Sequence, residues 1–177
     1  MSISKVKKPA MKITTEKEAI AAIKKDVFNF SIVPKKLLTP ELCQFAVKLN
    51  GSVLACVPVK YRTKELCRIA VKKHGSAIAS VPKKLLTQEL CLIAVKNYNS
   101  LVLNCIPLKM RTPELCLKAV IKNGIALRYV PIKLRTIEIC LEAIKHSGGN
   151  PASFRYRTIS SYIPEKIRKE VQLYGRK

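Results

Sequence analysis

The chain has 177 residues, 48% of them hydrophobic, and a formal charge of +23 from 34 Lys and Arg against 11 Asp and Glu. That length suits one domain with a core of its own, and that hydrophobic share excludes a disordered basic tail. The charge exceeds what solubility asks of a small domain and points to polyanionic company: nucleic acid, an acidic protein surface or an anionic membrane face.

Residues 1–13 read as a basic arm, with Lys5, Lys7, Lys8 and Lys12 and no acid. The arm lacks the apolar stretch of a secretory signal; its "KVKK" matches a nuclear import signal, with a solvated arm the simpler reading. Seven cysteines make an odd count for a disulfide framework, so a reducing, intracellular setting is expected. No apolar run approaches the length of about 18 residues that a bilayer span needs.

Residues 14–146 are periodic. Pro34, Pro58, Pro82, Pro107 and Pro131 are spaced by 24, 24, 25 and 24 residues, and Thr39, Thr63, Thr87, Thr112 and Thr136 follow them. Thr15 opens a degenerate first copy. Each threonine predicts a helix N-cap, strengthened by Pro40 and Pro113 at the first helical position. Glu41, Glu65, Glu89, Glu114 and Glu138 fall in the first turn, where negative charge suits the helix dipole. Apolar residues then recur at helical spacing, as in Leu66, Cys67, Ala70 and Val71. Lysines close the helix, and Gly51, Gly75 and Gly124 read as its C-terminal stop. A short second segment, such as "SVLACV" or "IALRYV", precedes a further turn begun by the next proline. Within residues 147–177, "HSGGNPASFRYRTISS" reads as a loop insertion before a capping helix near residues 164–174.

One such unit cannot bury its own apolar stripe, so neighbours must stack on it. The expected fold is all-α: an α-solenoid of about six 24-residue helical-hairpin repeats with a C-terminal capping helix. The pattern VPxKLRTxELCxxAVKxxGxxL over residues 15–146 resembles an uncharacterised domain-of-unknown-function family of short tandem helical repeats, common in large DNA viruses and present in some intracellular bacteria. The resemblance implies a helical array and a viral or effector origin. It carries over no catalytic or binding residue.

Cys43, Cys67, Cys91, Cys116 and Cys140 form one column, four residues after each threonine. Stacked helices stand about 8–10 Å apart, too far for one column to share a zinc ion or pair as disulfides. The column is therefore expected to fill the packed helix face beside Ala22, Ala46, Ala70, Ala94, Ala119 and Ala143. Cys56 and Cys105 are expected to do similar packing duty. No metal or cofactor is expected.

The basic residues form columns too. Lys36, Lys60, Lys84, Lys109 and Lys133 lie two residues after each proline, and Arg62, Arg111 and Arg135 two further on. Lys48, Lys72, Lys73, Lys96 and Lys122 close the first helix. Stacked, they would make cationic stripes that track a phosphate backbone by charge, without reading sequence. Pairing of the turn lysines with the glutamates five residues on is the local alternative. With one aspartate, two histidines and no recurring constellation, an enzyme is not expected. The functional expectation is a non-enzymatic repeat protein binding a polyanion, first DNA or structured RNA. The alternative is a scaffolding protein, such as a viral minor capsid or core component, docking acidic protein surfaces. The settings left open are a virion interior and host cytoplasm or nucleus. Both lysine groups on one open face would favour nucleic acid; opposite edges would favour a scaffold.

Overall fold

The computed structural model describes residues 12–98, 100–146 and 154–174. Eight α-helices and ten 3-10 helices make up its regular structure, with no strand among the described residues. The α-helices are α1 (Glu16–Lys25), α2 (Pro40–Leu49), α3 (Lys64–Lys73), α4 (Gln88–Asn97), α5 (Pro113–Lys122), α6 (Ile137–Lys145), α7 (Phe154–Ser160) and α8 (Glu165–Tyr174). The arm expected over residues 1–13 lies outside the described residues except for Lys12 and Ile13, and Ile13 is buried.

The threonines act as the spacing requires. Thr39, Thr63, Thr87, Thr112 and Thr136 each accept from the N–H three residues on, at 3.2–3.4 Å. At α1 the cap is reciprocal, because Glu18 also accepts from the Thr14 and Thr15 N–H groups. Those bonds, the Thr14 backbone N–H first, hold the Glu18 carboxyl below its ordinary value.

Each of α1 to α5 is followed by a six-residue 3-10 helix, such as Gly51–Cys56, and then a proline-led three-residue turn, such as Val59–Tyr61. After α1, α2, α3 and α5 the switch from α to 3-10 is made by a single extended residue. Asp26, Asn50 and Asn123 end one helix and cap the next, their side chains accepting from the N–H two residues on at 2.9–3.0 Å. His74 takes this place after α3, its Nδ1 2.6 Å from the Ser76 hydroxyl and its ring stacked at a tilt on Tyr98.

The glycines do something other than stop the helix. None of Gly51, Gly75 and Gly124 has a left-handed backbone; each lets its segment approach the next α-helix. A Cβ on Gly51 or Gly124 would run into the carbonyl oxygen of Ala70 or Ala143, and on Gly75 it would sit 2.5 Å from that of Ala94. Glycine is required here for the missing side chain rather than for its φ freedom.

Packing follows chain order. Helix α2 lies on α3, α3 on α4, α4 on α5 and α5 on α6, while successive six-residue 3-10 segments pack in a second row. The expected loop insertion is corrected in part: residues 147–153 lie outside the described residues, but Phe154–Ser160 is helical. This α7 packs on Gly124–Tyr129, where earlier units place a 3-10 segment, and α8 packs on α6. One connected apolar core runs from Ile13 to Val171.

The cysteine column lies in that core. Cys43, Cys67, Cys91, Cys116 and Cys140 are buried beside the alanine column. Burial disfavours the thiolate, pushing Cys43, Cys91, Cys116 and Cys140 up to about 11 and raising Cys67 as well. Cys56 and Cys105 depart from the expectation: both are exposed. They sit two residues before a proline, on the outer side of the 3-10 segment, where Ile32 in the first unit is also exposed.

Candidate polyanion interface

Each turn lysine is placed by its proline. The carbonyls of Pro34, Pro58, Pro82, Pro107 and Pro131 accept from the N–H three residues on at 2.8–2.9 Å, closing a tight turn. Lys36, Lys60, Lys84, Lys109 and Lys133 project from these turns and are all exposed. The same turns expose Val59, Leu108 and Ile132, at 65%, 66% and 73%. The turn edge is thus cationic and apolar together. Lys60 holds its ammonium 4.8 Å from the centre of the Tyr61 ring, a cation–π contact at this edge.

Lys48, Lys72, Lys73, Lys96 and Lys122 are exposed at the C-terminal ends of α2 to α5. The turn lysines stand three residues before the threonine caps, at the N-terminal ends. A helix of ten residues is about 15 Å long. The two lysine groups therefore occupy opposite ends of the α-helical row.

The helix-end group also has local work. Lys122 donates to the Lys96 and Val95 carbonyls at 2.5 and 3.2 Å, and Asn97 donates to the Lys72 carbonyl at 3.1 Å. Each closes the C-terminus of the preceding α-helix, whose last carbonyls have no partner within the helix. The glutamates leave the turn lysines unneutralised. Among the described residues, ion pairs join Lys118 to Glu114 and Lys145 to Glu142, and His146 Nε2 lies 3.2 Å from the Glu142 carboxylate. None joins a turn lysine to the glutamate five residues on.

The arginine column has a role that the sequence reading missed. Arg62 donates from Nε to the Val57 carbonyl at 2.8 Å, from Nη2 to Ala55 at 3.1 Å and from Nη1 to Ser80, in the next unit, at 2.7 Å. Arg111 does the same with Ile106 and Tyr129 at 2.8 and 2.6 Å. Arg135 repeats it with Val130, Arg128 and Tyr162 at 2.9, 3.4 and 2.7 Å. A planar guanidinium is preorganised for several carbonyls at once, which an ammonium is not. Burial pulls Arg111 and Arg135 below their ordinary value. Each arginine is a clasp between successive units, with its Nε and Nη1 committed to main-chain carbonyls. The signal was present: arginine stands at the fourth residue after proline in four copies, and Leu38 and Leu86 replace it in two.

A family model described as Domain of unknown function (DUF4116) matches residues 112–168, from the Thr112 cap into α8. That agrees with the resemblance to an uncharacterised domain family, over a shorter stretch than residues 15–146. Neither the curated proteins nor the solved structures hold a match to the chain.

Proposed function

We propose that the chain is an α-solenoid of about six hairpin units, capped by α7 and α8, which acts as a non-enzymatic docking protein for polyanionic surfaces. Its working edge is the row of proline-led turns, and its partner is an acidic protein surface that the chain scaffolds. One observation carries this reading: Val59, Leu108 and Ile132 stand exposed beside Lys60, Lys109 and Lys133. Apolar side chains recurring along a charged edge give a protein partner area to cover, whereas a phosphate backbone asks for charge alone. The separation of the lysine groups to opposite ends supports the same reading.

Nucleic-acid backbone is the second reading. The net charge of +23 and the scarcity of ion pairs favour it, and the turn lysines would be the contact residues there as well. Binding of an acidic peptide of alternating Glu and Leu, duplex DNA, structured RNA and heparin across a salt series separates the two. Docking on protein predicts that serine at Val59, Leu108 and Ile132 weakens binding of the Glu-Leu peptide and leaves heparin binding unchanged. Glutamate at Lys60, Lys84 and Lys109 weakens both. Tight duplex binding that is indifferent to the serine substitutions, with a steep salt slope, would transfer the assignment to nucleic acid.

A further inference from the structure

The arginine clasp is missing where Leu38 and Leu86 replace it, and at Leu38 the space that it would fill is a cavity. This cavity of about 420 Å³ is lined by Phe30, Val33, Leu38 and Tyr61, with Lys35 and Lys60 among the lining residues. Its place follows from two departures in the first unit. Leu38 leaves the gap between units without a guanidinium. Val27 stands in register with Gly51, Gly75 and Gly124, so its side chain keeps the first 3-10 segment from closing onto α2 as the glycines close onto the later helices.

The chemistry of the lining narrows the occupant. Phe30 and Leu38, 2% and 9% exposed, show only their edges and give a narrow apolar floor. Two lysines and no carboxylate line the cavity, and the Lys60 ammonium is fixed near it over the Tyr61 ring. The volume lies in the range of small-molecule pockets, which run from about 300 to 1,000 Å³. It is far too small for a folded partner. A cation would meet two ammonium groups, and a wholly polar anion would leave the apolar floor wet.

We propose that this slot binds a small amphipathic monoanion, with a medium-length acyl or aryl body against Phe30, Val33 and Leu38 and one carboxylate or sulfonate at Lys35 and Lys60. Lys60 serves both this slot and the docking edge, but Lys84, Lys109 and Lys133 do not line the slot, so their substitution separates the two readings.

The test titrates the full chain with decanoate, and with decylamine as the cationic match, following backbone amides by ¹H–¹⁵N NMR. Decanoate should shift the amides of residues 30–33 and 56–62 saturably, and decylamine should not. Leu38→Arg installs the clasp that Arg62, Arg111 and Arg135 already provide elsewhere, so it should keep the fold, shown by its circular dichroism, and abolish the decanoate shifts. Gln at both Lys35 and Lys60 should weaken decanoate about tenfold, near 1.4 kcal/mol. Shifts scattered over all lysine-bearing segments without saturation would overturn the proposal. So would equal binding of decylamine, or decanoate binding to a folded Leu38→Arg protein at the original affinity.

Discussion

The arginine clasp gives the sharpest prediction, because it separates cations that hold the array together from cations that face a partner. Arg62→Leu removes three hydrogen bonds and inserts the residue that the chain itself uses at positions 38 and 86. The bonds to Val57 and Ser80 are half-buried, whereas that to Ala55 is exposed and water can replace it. A hydrogen bond to a charged group contributes about 1.5–3 kcal/mol net, so the two sheltered bonds together are worth roughly 3 kcal/mol at the low end. Leucine regains about 1 kcal/mol through its apolar contact, leaving a net loss of roughly 2 kcal/mol. For a chain of this size that lowers Tm by roughly 4–8 °C. Thermal unfolding by circular dichroism reads the loss, and heparin affinity across a salt series reads the second half of the claim. The salt slope of Arg62→Leu should match the parent, whereas Lys60→Gln should flatten the slope and leave Tm unchanged. An unchanged Tm together with a slope reduced by nearly one charge for Arg62→Leu would refute the clasp and return the arginines to the contact surface.

Three further outcomes follow from the packing. Gly124→Ala places a Cβ against the Ala143 carbonyl and close to Ile159; overpacking of this kind costs about 1–3 kcal/mol, measurable as a lower urea midpoint. Among the seven cysteines, Cys56 and Cys105 should react with a thiol reagent in the native protein, and the buried column only on unfolding. Those buried thiols also set a pH dependence. Below the ordinary thiol value near 9 both folded and unfolded chains keep their protons, and the column has no effect. Above it the unfolded chain ionises first, so stability falls as pH rises towards about 11. Serine in place of Cys91 should remove part of that alkaline slope.

What the sequence disclosed and what it hid divide by physical range. Thr39 caps a bond three residues away, and Cys67 and Ala70 face inward on one helix; period and spacing within a unit are enough to read these. Gly51 meets Ala70 and Arg62 meets Ser80, each in the following unit. No local rule reports a side chain that acts a whole repeat away. The glycine was thus read as a helix stop and the arginine as a free cation. Asn50 and Asn123 hid for another reason: they serve two helices of different pitch, and the sequence pattern did not reveal that the second segment is a 3-10 helix. Cys56 and Cys105 were misplaced because composition alone assigned them to the core, although both, like Ile32, are exposed two residues before a proline, where Ser80 and Tyr129 are half-buried. The lysine columns were legible one by one, but their division between the two ends of the α-helices became clear only once the helix bounds were placed.

The partner that Arg62, Arg111 and Arg135 grasp in the next unit is in every case a main-chain oxygen, supplied by serine once and tyrosine twice. Such a joint makes no demand on the neighbour's residue identity. Where the clasp is present, it leaves the side chain at that point of the following unit free to vary, while the glycine contact beside it does not.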